Sequence, residues 1–389
     1  MKIILFDGSF NTTTFINRLA KGLVKNHEVY IMGFNEKLDC QIKNIHYVPL
    51  GSNQNFWRLI NVSFKYAYKK KKIKNIFNVL RMLFFKEKKN LQKQNLSVAL
   101  SSIQPDIIHL QWLSNISIFE EFLINNTYKI VLSQRGFHVN VRPFVDKENM
   151  VYLKKWYPKI SGFHSVSKAI KEVSNKVYSS NKKIDKVVYS GLDFNEFEFN
   201  TAFEKSEILK IVSVGRNHWK KGYRFAIHAM SILKEKGVKF QYTIIGVKET
   251  EELSFMLNQF GLKNVVVFID KIPHVDVYKR MKASDILLLP SLEEGIANVC
   301  IEAMALGVPV ISTNCGGMEE LISNDKEGFI VPIRNPNAIA EKILKVKSLS
   351  NLELSKICNN ALIKVKQQHN ENLMVKGIES LYNLVHERD

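Results

Sequence analysis

Short apolar runs alternate along this chain with longer stretches whose hydrophobic positions recur at helical spacing, and the alternation starts twice. The first series of strand-like runs covers residues 2–6, 28–33, 45–49, 106–110, 129–133, 162–166 and 186–189. The second covers 209–214, 240–245, 265–269, 285–289, 309–312 and 329–331. Strand and helix patterns in alternation predict α/β layers with mainly parallel sheets. A chain of 389 residues is long for one core, so the two series are read as two doubly wound domains. Their expected bounds are 1–190 and 207–370, joined by a linker over 191–206 that is acidic, rich in Asn, Phe and Glu, and without clear periodicity. The pattern is helical again from Leu352 onward, and 371–389 is read as a C-terminal helix packing back on the first domain. Two such domains facing each other make a cleft, and open sheets of this kind take ligands outside the carboxyl ends of their strands. The residues that follow each run are therefore where chemistry is sought.

The richest of these segments is 290–320. Behind a buried-strand run it places Glu294, Gly295 and Glu302, the two acids eight positions apart across a turn. Asn298 to Leu306 has helical character, Gly307 stops it, and a further strand follows. A strand, a small-residue turn and a helix N-terminus suit an anion, because the first N–H groups of a helix have no intrahelical partner. Two carboxylates beside that N-terminus suit a ligand that carries hydroxyls as well as phosphate, such as a nucleotide sugar. For Glu302 alone, macrodipole stabilisation of roughly 0.3–1 kcal/mol is a sufficient account, but it does not explain Glu294 on the preceding turn. Gly316 and Gly317 after the next strand offer a second backbone surface that a ligand can approach.

The second informative segment follows the run at 209–214. It reads Gly215-Arg216-Asn217-His218-Trp219-Lys220-Lys221-Gly222. Arg216 supplies a planar fork for phosphate oxygens and Lys221 a compact charge. Together they can converge on a diphosphate and neutralise charge developing on a departing nucleotide. A basic turn capping a sheet is the plainer reading of either residue by itself.

Taken together, Gly215-Arg216, Lys221-Gly222, Glu294-Gly295, Glu302-Ala303-Met304-Ala305, Gly307-Val308-Pro309-Val310 and Gly316-Gly317 resemble glycosyltransferase family 4. The resemblance is specific over about residues 188–331, where it includes Gly191-Leu192-Asp193 and Phe197, and looser before them. It implies the GT-B fold, two facing Rossmann-like domains with the acceptor on the first and the donor on the second. It implies that Arg216 and Lys221 bind the diphosphate of a UDP- or GDP-sugar, that Glu302 takes the ribose hydroxyls, and that Glu294 takes those of the donor sugar. The backbone of Ile296, Ala297, Asn298 and Val299 would hold phosphate and sugar, with no divalent metal and no further cofactor. Gly8, Ser9, His109, Arg135, Gly136 and His138 would lie near the acceptor or the reacting sugar. Arg135 departs from the pattern, since many members carry histidine there. Glu294, Arg216, Lys221 and Arg135 are thus the residues expected to carry transfer with retention. Spacing makes Glu294 look like a nucleophile of the kind retaining hydrolases use. The resemblance places it on sugar hydroxyls instead, which favours a front-face reaction in which the leaving phosphate helps deprotonate the acceptor.

Charge adds a partner to this picture. Net charge is +19, and residues 65–93 hold eleven Lys or Arg against one acid, Glu87. Phe64, Tyr66, Tyr68, Ile73, Ile76, Phe77, Val79, Leu80, Met82, Leu83, Phe84 and Phe85 are interleaved with them. An amphipathic basic helix on an anionic membrane fits this composition, as does a merely solvated face. No recognition motif accompanies the charge, so nucleic acid is not an expected partner. No run is long enough to cross a bilayer, and the N-terminal run meets Asp7 too soon for a secretory signal. Cys40, Cys300, Cys315 and Cys358 lack metal-ligand spacing. The expectation is a reduced cytoplasmic protein that works at the inner membrane face on a saccharide or polyprenyl-linked acceptor in surface-polysaccharide assembly. A nucleotide-sugar epimerase or hydrolase and a non-catalytic membrane- or polyanion-binding protein are the alternatives.

Overall fold

A computed structural model of the chain describes residues 1–10, 12–34, 42–69, 73–85, 87–200 and 207–388. The chain divides into two compact units. The first comprises Met1–Val166, Lys171–Val188 and Glu371–Asp389, and the second Ser167–Ile170 and Tyr189–Asn370.

The first unit is built on strands β1 (Lys2–Gly8), β2 (Glu28–Gly33), β3 (His46–Pro49), β4 (Ile107–Leu110), β5 (Ile130–Gln134), β6 (Gly162–Ser165) and β7 (Asp185–Val187). They form one sheet in the order β3-β2-β1-β4-β5-β6-β7, with every pairing parallel. The second holds β8 (Leu209–Val214), β9 (Phe240–Ile245), β10 (Val266–Ile269), β11 (Ile286–Leu289), β12 (Val310–Thr313) and β13 (Phe329–Val331). Their order is β10-β9-β8-β11-β12-β13, again all parallel. Every run singled out by hydrophobicity is thus a strand, and each unit is Rossmann-like.

Both faces of the second sheet are covered, which is why its strands read as unbroken apolar runs. Ile286 and Leu288 pack into one buried cluster and Leu287 and Leu289 into the other. In the first unit Ile3, Leu5, Val29, Ile31, Ile107 and Val131 share a core with Met374, Ile378, Leu381 and Tyr382 of the C-terminal helix Glu371–His386. Its contact with the helix Thr14–Leu23 depends on Gly22, where an added Cβ would lie 2.2 Å from Val375.

Two expectations change here. The segment read as a linker packs on the second unit as far as it is described. Leu192 is buried, Phe197 packs against Tyr278 with ring centroids 5.0 Å apart, and the Asn200 N–H donates to the Leu306 carbonyl. Its apolar residues match this use, although they lack a helix or strand period; residues 201–206 lie outside the described residues.

The basic stretch is not one amphipathic helix but parts of three, Phe56–Lys69, Ile73–Phe84 and Lys88–Ile103. Its apolar residues divide between two environments. Val79 is buried with Leu59, Ala67 and Leu91, and Phe64, Met82 and Leu83 pack against them. Tyr68, Phe77, Leu80, Phe84 and Phe85 are exposed. Lysines 70–72 and Lys86 lie outside the described residues.

Candidate functional site

In the second sheet the chain runs outward from β8 to β10 and then returns to β11 on the other side of β8. The strand order reverses between β8 and β11, and such a switch point opens a crevice at the carboxyl ends of the two strands. Gly215 to Gly222 leave β8 there, and Pro290 to Ala297 leave β11. The next helix, Asn298–Leu306, begins at this point with no side-chain cap on its N-terminus. The Cys300 N–H donates to the Ala297 carbonyl at 2.9 Å, which leaves the N–H groups of Asn298 and Val299 in the first turn without a side-chain cap.

An ion cluster ties the two loops together. Lys221 Nζ donates to Glu294 Oε1 at 2.6 Å, and Ser291 Oγ donates to the same oxygen at 3.0 Å. Lys220 Nζ stands 3.8 Å from Glu294 Oε2. The backbone repeats the tie, since the Leu292 N–H donates to the Lys220 carbonyl at 2.6 Å. Burial pushes the Glu294 carboxyl up, but Lys221, Lys220 and Ser291 outweigh it and hold the group below its ordinary value. The nearby His218 imidazole is pushed down, by partial burial first and then by Arg216, Lys220 and Lys221. A positive field thus surrounds the crevice mouth, where Arg216 is exposed.

Glycines fit the loops together more closely than any side chain would permit. Gly222 has φ +66°, and a Cβ there would lie 2.0 Å from the Pro290 carbonyl oxygen. At Gly316, with φ +54°, it would lie 1.7 Å from the Glu294 carbonyl oxygen, and at Gly317 it would lie 2.3 Å from that of Gly295. The Gly317 N–H donates to this last carbonyl at 2.7 Å. Gly316 and Gly317 were expected to offer a surface to a ligand. Their close contact in the structure is with the Glu294–Gly295 backbone, which they fix in place. Gly215 likewise packs on its own unit, since a Cβ there would lie 2.9 Å from Tyr223 Oη and 3.0 Å from Lys221 Cε.

Of the expected donor residues, Gly215, Arg216, Lys221, Glu294, Gly295, Ile296, Ala297, Asn298, Val299 and Glu302 all come to this one switch point. Glu302 is buried one turn after Asn298 on the same helix. The thiol of Cys300 between them is raised, by burial first, and feels Glu294, Lys221 and Glu302 at once. Lys220 was overlooked although it is the more deeply buried of the two lysines, at 7% side-chain exposure against 13% for Lys221. The only sequence signal for it is its place in the same basic turn.

The residues expected near the acceptor divide into several environments in the first unit. His109 requires correction. It is fully buried on β4, with Nδ1 2.7 Å from Tyr382 Oη and Nε2 2.8 Å from Ser133 Oγ. Ser133 Oγ is in turn 2.8 Å from His164 Nδ1, and His164 Nε2 is 2.9 Å from the Val188 carbonyl. A carbonyl only accepts, so His164 is protonated on Nε2 and its Nδ1 accepts from Ser133. Ser133 then accepts from His109 Nε2–H, and Tyr382 donates to His109 Nδ1. Donation runs one way through the interior and leaves both rings neutral. Burial agrees, pushing His109 well down and His164 to about 3. Both nitrogens of His109 are engaged inside the unit, so its role is to brace the sheet and the C-terminal helix.

Arg135 leaves the end of β5 and Gly136 turns the chain with φ +47°. Gly8 and Ser9 line a cavity of about 650 Å³ with Asp7 and Asn115. His138 lines a separate one of about 380 Å³ with Arg142, Asp146 and Tyr152.

Comparison with known proteins places this geometry. Residues 194–365 match the family described as glycosyl transferases group 1. WcaL of Escherichia coli, named for colanic acid biosynthesis, is 34% identical over 49% of each chain. The capsular polysaccharide biosynthesis glycosyltransferase CapM of Staphylococcus aureus is 30% identical over 50% of this chain and 53% of its own. The chain spans about half the length of these curated relatives. In fold it is similar to sucrose-phosphate synthase from Thermosynechococcus elongatus, with TM-score 0.77 and 15% identity over 98% of both chains. It is also similar to Anabaena HepE in complex with UDP-glucose, with TM-score 0.71 and 16% identity over 98% of this chain and 100% of that one.

Proposed function

Because residues 194–365 belong to the glycosyl transferases group 1 family, we propose that this protein transfers a sugar, with retention, from a nucleotide-sugar donor to a saccharide acceptor in surface-polysaccharide assembly. The observation that carries the reading is the cluster of Lys221, Lys220 and Glu294 beside the uncapped helix N-terminus at the second switch point. The family match covers this region, relatives such as CapM are named for polysaccharide biosynthesis, and Anabaena HepE binds UDP-glucose on the same fold.

An ammonium has three donors, so Lys221 can keep Glu294 and still offer two to phosphate oxygens. Arg216 adds a bidentate fork from the exposed side, and the first turn of Asn298–Leu306 adds backbone N–H groups and the positive end of its dipole. As the bond from the sugar carbon to the diphosphate breaks, charge grows on the departing oxygen. These fixed donors stabilise it without reorganising. Glu302 accepts from the ribose hydroxyls and Glu294 from those of the donor sugar, so their role is to position. The departing phosphate takes the proton of the acceptor hydroxyl on the same face, which preserves the anomeric configuration. Cations and a helix N-terminus do here what a divalent ion does elsewhere.

Thermal shift against a panel of UDP, GDP and their sugars tests the reading, since a ligand that binds only the folded state raises its melting temperature. A rise with one base and its loss in Lys221→Ala with Glu302→Ala are expected. If no nucleotide or nucleotide sugar moves the wild-type protein, the reading fails.

The acceptor we assign is one carried at an anionic membrane face. Phe77 (67%), Phe84 (82%) and Phe85 (63%) are each exposed in a strongly basic stretch, a poor arrangement for water and a good one for the headgroup boundary. Among the described residues no helix is long and apolar enough to cross a membrane. Co-sedimentation with vesicles that ignores their content of anionic lipid would remove this assignment.

A further inference from the structure

The first sheet has a switch point of its own, between β1 and β4. Asp7 lies one residue before the end of β1 there, Trp112 follows β4, and Arg135 follows the neighbouring β5. A chain of contacts joins them. The Trp112 indole N–H donates to Asp7 Oδ1, and the Trp112 and Phe15 rings meet edge-on at 6.1 Å. The Arg135 guanidinium lies 4.0 Å above the Phe15 ring.

Neither charged group has an ion-pair partner among the described residues. Arg135 Nη2 makes only long bonds, 3.3 Å to Gln111 Oε1 and 3.3 Å to Ser133 Oγ, and its buried Nε has no partner. No ion pair joins Asp7 and Arg135 among the described residues, although each feels the other's charge. Burial dominates both, pushing Asp7 up to about 6 and Arg135 down to about 9. Asp7 also lines the cavity of about 650 Å³, together with Lys89, Lys93 and Glu120.

Resting on the glycosyltransferase reading, we propose that Asp7 is a specificity-determining residue which, with Arg135 and the Trp112 and Phe15 rings, selects an uncharged, hydroxylated sugar ring of the acceptor. A hydroxyl both donates and accepts. One hydroxyl of a ring can donate to the Asp7 oxygen that Trp112 leaves open, while another accepts from Arg135. The indole face suits the apolar C–H face of the same ring, while the Phe15 ring backs the Arg135 guanidinium. A uronate or a phosphate satisfies Arg135 equally well and is drawn by Lys89 and Lys93 of the cavity, but seated on Arg135 it brings its charge against the Asp7 carboxylate. Discrimination of this kind is built by repulsion as much as by attraction.

The test follows the Trp112 indole N–H in the full-length protein by ¹H–¹⁵N NMR, with Trp112→Phe assigning the signal. The probes are methyl glucoside, galactoside and mannoside against glucuronate and galacturonate at neutral pH. At least one neutral glycoside is expected to move the signal, with the uronates about tenfold weaker or worse. Asp7→Asn keeps an oxygen for the indole, and is expected to shrink that ratio at least about threefold. Equal binding of uronates to the wild type, no response to any neutral glycoside, or an unchanged ratio in Asp7→Asn would each overturn the proposal. Nucleotide-induced thermal shift in the same samples keeps the two readings apart. Its absence with the sugar response intact breaks the glycosyltransferase reading, and the reverse breaks only this one.

Discussion

The two switch points solve the same problem in opposite ways. At the second, Glu294 is held by Lys221 and Ser291 at hydrogen-bond distance with Lys220 beyond, and the carboxyl lies below its ordinary value. At the first, Asp7 and Arg135 stand near each other unpaired, and burial moves both toward neutrality. Paired charges in an interior stabilise their surroundings only while both partners stay, whereas unpaired ones cost stability until something satisfies them. The second switch point is therefore preorganised before a ligand arrives. The first holds its charges in wait for one.

The largest test of that contrast removes one cation from each site. Lys221→Met leaves Glu294 buried with only the more distant Lys220, and should cost on the order of 3 kcal/mol by urea denaturation. Arg135→Met removes a charge that has no ion-pair partner, and should change stability by no more than about 1 kcal/mol. Equal losses would mean that the two sites are not differently paired. Adding Glu294→Leu to Lys221→Met sharpens the point. Apolar replacement of both partners should restore most of the loss, to within about 1 kcal/mol, while nucleotide-induced stabilisation stays absent.

A smaller effect separates the loops. Gly316→Ala must force a left-handed residue and also push the Glu294 carbonyl away, so a loss of roughly 2–3 kcal/mol together with weakened nucleotide binding is expected. Gly8 has φ +85°, but its added Cβ would meet only the Asn115 side chain, at 3.2 Å. Gly8→Ala should then cost only the backbone term, about 1–2 kcal/mol. Calorimetry on the two variants checks the order, and a costlier Gly8→Ala would reverse the claim that the second site is the tightly built one.

The strands and the second switch point were legible in the sequence because both are local. Ile286 to Leu289 is an unbroken apolar run, and Glu294, Gly295 and Glu302 follow within one strand–turn–helix segment. Long-range pairing was not legible. Lys220 and Lys221 are adjacent in sequence, and only the fold decides which one bonds Glu294 and which stands behind it. The packing of Gly316 on the Glu294 carbonyl was not legible either, because nothing near it in sequence names that carbonyl as its neighbour. His109 looked available because the groups that occupy its two nitrogens come from β5 and from a helix at the far end of the chain. The Asp7, Trp112 and Arg135 cluster was invisible for the same reason, being assembled from three strand ends. Leu192 and Phe197, with no strand or helix period of their own, were read as linker although they pack against the second unit.

The smallest expected effect is also the one whose sign differs between the sites. The Glu294 carboxyl lies below its unfolded value, so its contribution is present above that value and is lost as pH falls through the folded one. Glu294→Gln should accordingly destabilise the protein at neutral pH and lose that difference in acid. Asp7 is raised from 3.8 to about 6, so its ionised form opposes folding above the folded value. That penalty fades as pH falls from about 6 toward 3.8 and is gone below. Asp7→Asn should then stabilise at neutral pH, by about 1 kcal/mol once solvent screening and the lost attraction to Arg135 are discounted from the full shift. Wild type and variant should converge near pH 4 as Asp7 becomes neutral in both states. Urea midpoints for the two variants across this range decide the matter. Two curves of the same sign would show that Asp7 is paired after all, and the contrast between the switch points would not stand.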